Sequence, residues 1–304
     1  MDTLKNIQGV IFDYGGTIDT NSCHWAEVLW TKYMEHQVPV DKESFREAYV
    51  FGERALAKYP FVQPWHNFHD VLSIKTKLQV EWLAEQRKLP MDELQLQSYA
   101  VKVADSCYGY VLDILQVTRP VVKELAKKYR LVLVSNFYGN IQTILKDFGL
   151  LDFFDEIIES SVVGVRKPDP AIYRLGVDAM GFAAENVLVV GDSFLKDVVP
   201  AKAVGCRVAW LKGEGGVDAA DSLVGKSFAV LFLTKQTAIL FEPGVELLDV
   251  AGGEFVQRNG AQVRDDMLID PPFIGHLGVG AKIWLFAGLI PEVQPLGDRH
   301  GLPR

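Results

Sequence analysis

The sequence predicts an α/β protein: a doubly wound parallel, Rossmann-like sheet core with an inserted all-helical cap and a short β-rich C-terminal extension. Short apolar runs at 7–12, 131–135 (LVLVS), 187–190 (VLVV) and 207–211 (RVAWL) stop at polar or glycine residues, as buried strands do. Segments of helical spacing at 120–129, 140–148, 170–180 and 196–204 lie between or beside these runs. Strands alternating with helices of about ten residues make βαβ units and hence a parallel sheet. The stretch 21–117 breaks that alternation and reads as nearly all helix.

The first strand ends at Asp13, with Gly15 and Gly16 opening a loop behind it. In the helical stretch, Trp25, Leu29 and Tyr33 recur every four residues, and Val101, Ala104, Cys107, Val111 and Leu115 every three or four. Asp41 with Glu43 just inside marks a helix start. Two prolines in PFVQPWHNFHD, 60–70, mark a loop whose aromatics are candidates for a pocket wall. Most other cap aromatics, Trp25 and Tyr33 among them, fit bundle core. The expected divisions are a core at 1–17 and 118–225, a cap at 18–117 and an extension at 226–304. In the extension, FAVLFLT, TAILFE and VELLDV are β-rich, and Asn259-Gly260 carries a turn signal.

Composition narrows the class. At 49% hydrophobic and 23% charged, the 304 residues lie near the globular average, which excludes collagen-like, disordered and coiled-coil chains. The net charge of −8 is unrelieved by any Lys/Arg cluster, so neither duplex nucleic acid nor an anionic membrane is the expected partner. Cys23, Cys107 and Cys206 form no metal-spaced pair, and no secretory signal precedes the first strand. The longest apolar run, 283–290, falls far short of the roughly 20 residues that span a bilayer. A soluble cytoplasmic protein with a small-molecule partner is the expectation.

Four polar stations stand at or just beyond strand ends, where open α/β sheets bind ligands. They are Asp13-Tyr14-Gly15-Gly16-Thr17, Ser135-Asn136, Lys167 within Gly164–Pro170, and Asp192 to Asp197 after VLVVG. A carboxylate followed by glycines faces a loop whose N–H groups cradle anions. Asp13 is a candidate nucleophile. Asp192 and Asp197 are hard oxygen donors that suit Mg²⁺. Lys167 and the Ser135 hydroxyl are placed to neutralise and orient a transferring group, which is most of what phosphoryl transfer requires. The run 223–227 is no phosphate-binding P-loop, because Ala220 stands where its first glycine belongs.

Together the stretches VIFDYGGTID, LVLVSN, GVRKPDPAIY and VLVVGDSFLKD resemble, in order, the four motifs of the haloacid dehalogenase superfamily. The resemblance covers roughly residues 5–225. It implies Mg²⁺-dependent hydrolysis through an aspartyl intermediate, with a helical cap that helps choose the substrate. It assigns Asp13 as nucleophile, Ser135 and Lys167 as phosphate-binding groups, and Asp192 and Asp197 as the acidic pair of motif four. The backbone carbonyl of Gly15 joins Asp13 as metal ligand, while Gly16, Thr17 and Asn136 border the phosphate.

One position departs from the pattern. Family phosphatases usually carry a second Asp two residues after the nucleophile, as general acid and then base, and here that residue is Gly15. Such groups contribute about 10²–10⁴-fold. Substitutes are a cap histidine (His24, His36, His66 or His69) or a substrate whose leaving group needs no acid. Phosphonate-cleaving and dehalogenating relatives also lack the Asp. The former use a cap lysine in a context not matched here, and the latter lose the metal carboxylates that Asp192 and Asp197 retain. A weak or inactive phosphate-binding protein is the other alternative.

Overall fold

The computed structural model describes residues 6–212 and the backbone of a strand at Val245–Leu248. FAVLFLT, TAILFE, the Asn259-Gly260 turn and the remainder of the extension lie outside the described residues. Among those described, a six-stranded sheet runs β3-β2-β1-β4-β5-β6: β1 Gly9–Phe12, β2 Arg130–Ser135, β3 Glu156–Glu159, β4 Val187–Gly191, β5 Arg207–Leu211 and β6 Val245–Leu248. The first five are parallel; β6 adds antiparallel to β5.

The apolar runs predict four of these strands at nearly these bounds. β3 escapes them, because in EIIE only two apolar residues separate two glutamates. Along β1 the side chains alternate between two cores. Val10 and Phe12 join the cluster that continues into the cap, while Ile11 joins the cluster on the opposite face. Covered on both faces, β1 and β4 are apolar throughout and β2 and β5 carry polar residues only at their ends, as parallel strands do.

Four helices lie between β1 and β2: α1 Trp25–Glu35, α2 Lys42–Lys58, α3 Phe68–Glu85 and α4 Glu93–Ala126. Asp41 caps α2 by accepting from Ser44 N–H, as its position predicts. The proline-marked loop stops at Asn67, whose side chain forms a capping box with Asp70, so Phe68, His69 and Asp70 begin α3. α4 is one helix of 34 residues, about 50 Å at 1.5 Å per residue. It contains Pro120, so the expected separate helix at 120–129 is the last part of a rod that begins in the cap. Proline removes one i→i−4 hydrogen bond, and burial of Val121, Val122 and Leu125 against the core offsets that loss.

Beyond β2 follow α5 Ile141–Asp147, α6 Ser160–Val163, α7 Ala171–Met180 and α8 Val199–Val204, with a single π-helical turn at Phe194–Val198 leading into α8. No described helix is long and apolar enough to cross a membrane.

Candidate active site

Parallel register puts the strand ends at one level. Phe12 pairs with Leu133 of β2 and with Val190 of β4, so Asp13 stands one residue beyond that level and Ser135 and Asp192 two residues beyond it, all at the carboxyl ends of neighbouring strands. The Asp13 N–H donates to Val190 O at 2.9 Å, tying the backbone of the candidate nucleophile to β4. Gly16 then turns with φ +92, and a Cβ there would lie 2.3 Å from Asp192 Oδ2. Only glycine fits that approach. Gly15 is the opposite case: nothing lies within 4 Å of where its Cβ would be.

Lys167 is the hub. Its Nζ donates to Asp13 Oδ1 at 2.6 Å and to Asp197 Oδ1 at 2.7 Å, with the residue only 3% exposed. Its backbone is clamped by Asn136, whose Oδ1 accepts from Lys167 N–H at 2.8 Å while Nδ2 donates to Lys167 O at 3.0 Å. Both ends of the Asn136 amide are thus used in placing Lys167. Asp197 sits in the π-helical turn, a feature common at functional sites. Its Oδ1 also accepts from Tyr173 OH at 2.7 Å, and its Oδ2 accepts from Ser193 N–H at 2.9 Å. The Thr17 hydroxyl stands 3.4 Å from both Asp13 Oδ2 and Asp192 Oδ1, at the long limit of hydrogen bonding.

The electrostatics are those of an anion cluster short of positive charge. Burial raises Asp13 to about 6, Lys167 opposes that rise, and Asp197 adds to it. Burial, then Asp197 and Asp13, hold Asp192 well above the usual carboxylate range. Burial disfavours the Lys167 ammonium, but Asp13 and Asp197 outweigh it and raise its pKa. Oxygens of Asp13, Asp192 and Asp197 all lie within 4.8 Å of one another. A hard divalent cation among them would reverse the penalty on Asp13 and Asp192, so the donor set suits Mg²⁺. Asp197 has both oxygens already bonded to the protein, whereas the Asp192 side chain has, among the described residues, only the long Thr17 contact.

These groups line a cavity of about 210 Å³ between core and cap. Asp13, Gly15, Gly16, Ser135, Asn136, Lys167, Asp192 and Asp197 all face it; Thr17 is buried behind them. Of the cap histidines only His24 lines it, and there its Nδ1 accepts from Ala26 N–H at 3.2 Å as the cap of α1. His36 bonds Ser106, His66 caps the loop at Gln63, and His69 pairs with Asp105 on the surface. Among the loop aromatics, Phe61 and the 72% exposed Trp65 lie outside the cavity and only Phe68 reaches it. Trp25 and Tyr49 pack against the apolar core of the bundle and also form cavity wall.

Asp19, Glu53 and Tyr138, which the sequence does not single out, and Lys75, one of the cap lysines that match no motif, are all in the cavity lining. Asp19 is wholly buried, accepting from Gly16 N–H at 2.7 Å and Trp25 Nε1–H at 2.9 Å. Burial raises it to about 7 against those two hydrogen bonds, with Asp13 adding to the rise. Lys75 carried a readable signal: it interrupts the apolar face Val71, Leu72, Val80, Leu83 of α3.

The family description "haloacid dehalogenase-like hydrolase" matches residues 7–205. The chain is 29% identical over 149 residues to the 5-amino-6-(5-phospho-D-ribitylamino)uracil phosphatase of Escherichia coli, covering 49% of this chain and 60% of that protein. It is 25% identical over 213 residues to the glyceraldehyde 3-phosphate phosphatase of Pyrococcus abyssi, covering 68% and 82%. Among solved structures, the haloacid dehalogenase-type phosphatase of Thermococcus onnurineus is 22% identical at a TM-score of 0.39, covering 70% of this chain and 90% of its own.

Proposed function

This chain belongs to the haloacid dehalogenase-like hydrolases, and within that family we propose that it is a Mg²⁺-dependent hydrolase removing a phosphoryl group from a small metabolite. The observation that carries the reading is Lys167, which bridges Asp13 and Asp197 beside Asp192. The similar proteins named above are phosphatases of small phosphorylated compounds, which supports the substrate class.

In this reading Asp13 attacks phosphorus, the leaving-group oxygen departs, and water then releases phosphate from Asp13. Lys167 neutralises the equatorial oxygens, the Ser135 hydroxyl donates to them, and the loop at Gly16 closes round them. Asn136 holds the Lys167 backbone, and Asp197 with Tyr173 holds its ammonium. Asp13, Asp192 and the Gly15 carbonyl would hold Mg²⁺, with Asp197 beside them fixing Lys167. Bound there, the ion supplies charge neutralisation for the phosphoryl group.

Gly15 offers no proton to the leaving group. The reaction therefore favours aryl, acyl or similar phosphates whose leaving groups depart as stable anions. Phosphate release across such a panel, with Mg²⁺ and with chelator, tests the reading. Equal release under both conditions would remove the metal role. Tight phosphate binding with no release would favour a binding protein, the alternative that the empty position at Gly15 supports.

A further inference from the structure

The loop that follows β2 is held from β3. Parallel register sets Glu159, the last residue of β3, beside Ser135. The Glu159 side chain is buried, only 4% exposed, and its Oε1 accepts from Gly139 N–H at 2.5 Å. The N–H groups of Asn140 and Ile141 and the Ser161 hydroxyl donate to the same carboxylate. Next to it, Ser160 Oγ accepts from Phe137 N–H at 3.2 Å. Burial raises the Glu159 pKa, and its four donors oppose the rise. A carboxylate at this depth is costly unless its lone pairs are met, and one met by four donors gathers the backbone around it. The pairing of β3 with β2 is made by backbone groups, so this carboxylate serves the loop and not the sheet.

Residues 136–140 of that loop reach both halves of the site. Asn136 clamps the Lys167 backbone with both ends of its amide. Phe137 stands edge-on to Tyr14, the residue after Asp13, with 5.6 Å between ring centroids. Tyr138 OH donates to Glu53 of the cap at 3.2 Å, and Asn140 Nδ2 donates to the cap carbonyl of His66 at 2.9 Å. Gly139 turns between these two with φ +99. We propose that Glu159 is a positioning residue of this hydrolase: its carboxylate fixes the loop in the shape that sets Lys167 against Asp13 and meets the cap. The inference rests on the phosphohydrolase reading and adds to it a residue that touches no reacting atom. Without the carboxylate, three N–H groups of the loop and its helix entry lose their acceptor. Asn136 is then no longer held where its amide brackets Lys167.

Two variants test this. Glu159→Leu removes both acceptors, and Glu159→Gln keeps the shape and one oxygen. A misplacement of about 1 Å costs on the order of 10²-fold, so kcat/KM for acetyl phosphate with Mg²⁺ should fall about that much in Glu159→Leu and less in Glu159→Gln. The fall should lie in kcat more than in KM, because Lys167 meets charge that develops in the transition state. Since the effect runs through Asn136, adding Asn136→Ala to either variant should cost little beyond the worse single change. A merely structural residue would lower the unfolding midpoint and leave kcat of the folded protein unchanged. Glu159→Gln carries the same comparison if Glu159→Leu does not fold. Amide exchange read by mass spectrometry without substrate keeps this inference apart from the phosphohydrolase reading. In Glu159→Gln, both 137–141 and the segment holding the Lys167 N–H should exchange faster than in the parent. That result in a protein that hydrolyses nothing would support the positioning and remove the reading. Unchanged exchange around Lys167, unchanged kcat, or losses that multiply with Asn136→Ala would each overturn the proposal.

Discussion

The ammonium of Lys167 and the carboxylate of Asp13 meet at 2.6 Å where the two side chains are 2% and 9% exposed. Nothing in the fold needs that pair in the interior, since burying two charges costs several kcal/mol per ion before their attraction is counted. It also links the end of β1 to the loop between α6 and α7, where Asn136 clamps the Lys167 backbone.

Breaking the pair from the lysine side should therefore cost stability as well as activity. Lys167→Met leaves Asp13 and Asp197 as buried, unpaired carboxylates, a loss on the order of 3 kcal/mol. Denaturant unfolding of the variant without Mg²⁺ checks this. A midpoint equal to that of the parent protein would show that water or another cation already compensates these groups.

Gly15 and Gly16 make opposite predictions although they are neighbours. Gly15→Asp meets nothing within 4 Å at its Cβ, so the protein should fold and gain a carboxylate at the vacant acid position. Alkyl phosphate hydrolysis should rise by up to about 10²-fold, with little change for acyl or aryl phosphates. Gly16→Ala should abolish turnover, because its Cβ would lie 2.3 Å from Asp192 and its φ of +92 disfavours any side chain. Kinetics on both substrate classes decide it; loss of both in Gly15→Asp would mean that the open position is itself required.

Asp19 gives a pH signature. Its folded pKa, about 7, lies above the ordinary carboxylate value of 3.8, so the folded state binds its proton more tightly than the unfolded state. Its contribution is fully present below about pH 4 and is lost as pH rises through about 7. Asp19→Asn cannot ionise, so the stability of the variant relative to the parent should improve between pH 5 and pH 8, by roughly 1.4 kcal/mol per unit of pH at most. Unfolding curves at these two pH values measure the difference, and no change in the difference would show that Asp19 is not titrating in the cavity.

The readable parts of this molecule were those fixed by local pattern. Apolar runs such as 187–190 marked strands because a two-faced core requires continuous hydrophobicity, and glycines after Asp13 marked the loop. β3 was not legible because its stability comes from pairing with β2 rather than from its own composition. The continuity of α4 through Pro120 was hidden for the same reason, tertiary packing overriding a local breaker. In the site, Asp13, Ser135, Asp192 and Asp197 were legible from strand ends and spacing, while Lys167, which lies in the loop between α6 and α7 rather than at a strand end, was legible from its motif. Glu53, Lys75 and Tyr138 were not, because helix packing and a loop from the core bring them together from three separate segments.

Asp13→Asn keeps the volume of the nucleophile and removes its charge. Turnover should fall by about 10³-fold or more, while the thermal transition of the folded protein remains cooperative. Phosphate release and melting curves on one preparation check both halves, and retained turnover would move the nucleophile elsewhere.

The central claim is that Asp13 becomes phosphorylated. A single turnover of acetyl phosphate with Mg²⁺, quenched in acid at successive times, can be read by mass spectrometry of the peptide carrying Asp13. The account predicts one phosphoryl group on Asp13 at early times, decaying as free phosphate appears, and none in the presence of chelator. Phosphate released while that peptide stays unmodified at every time would contradict it.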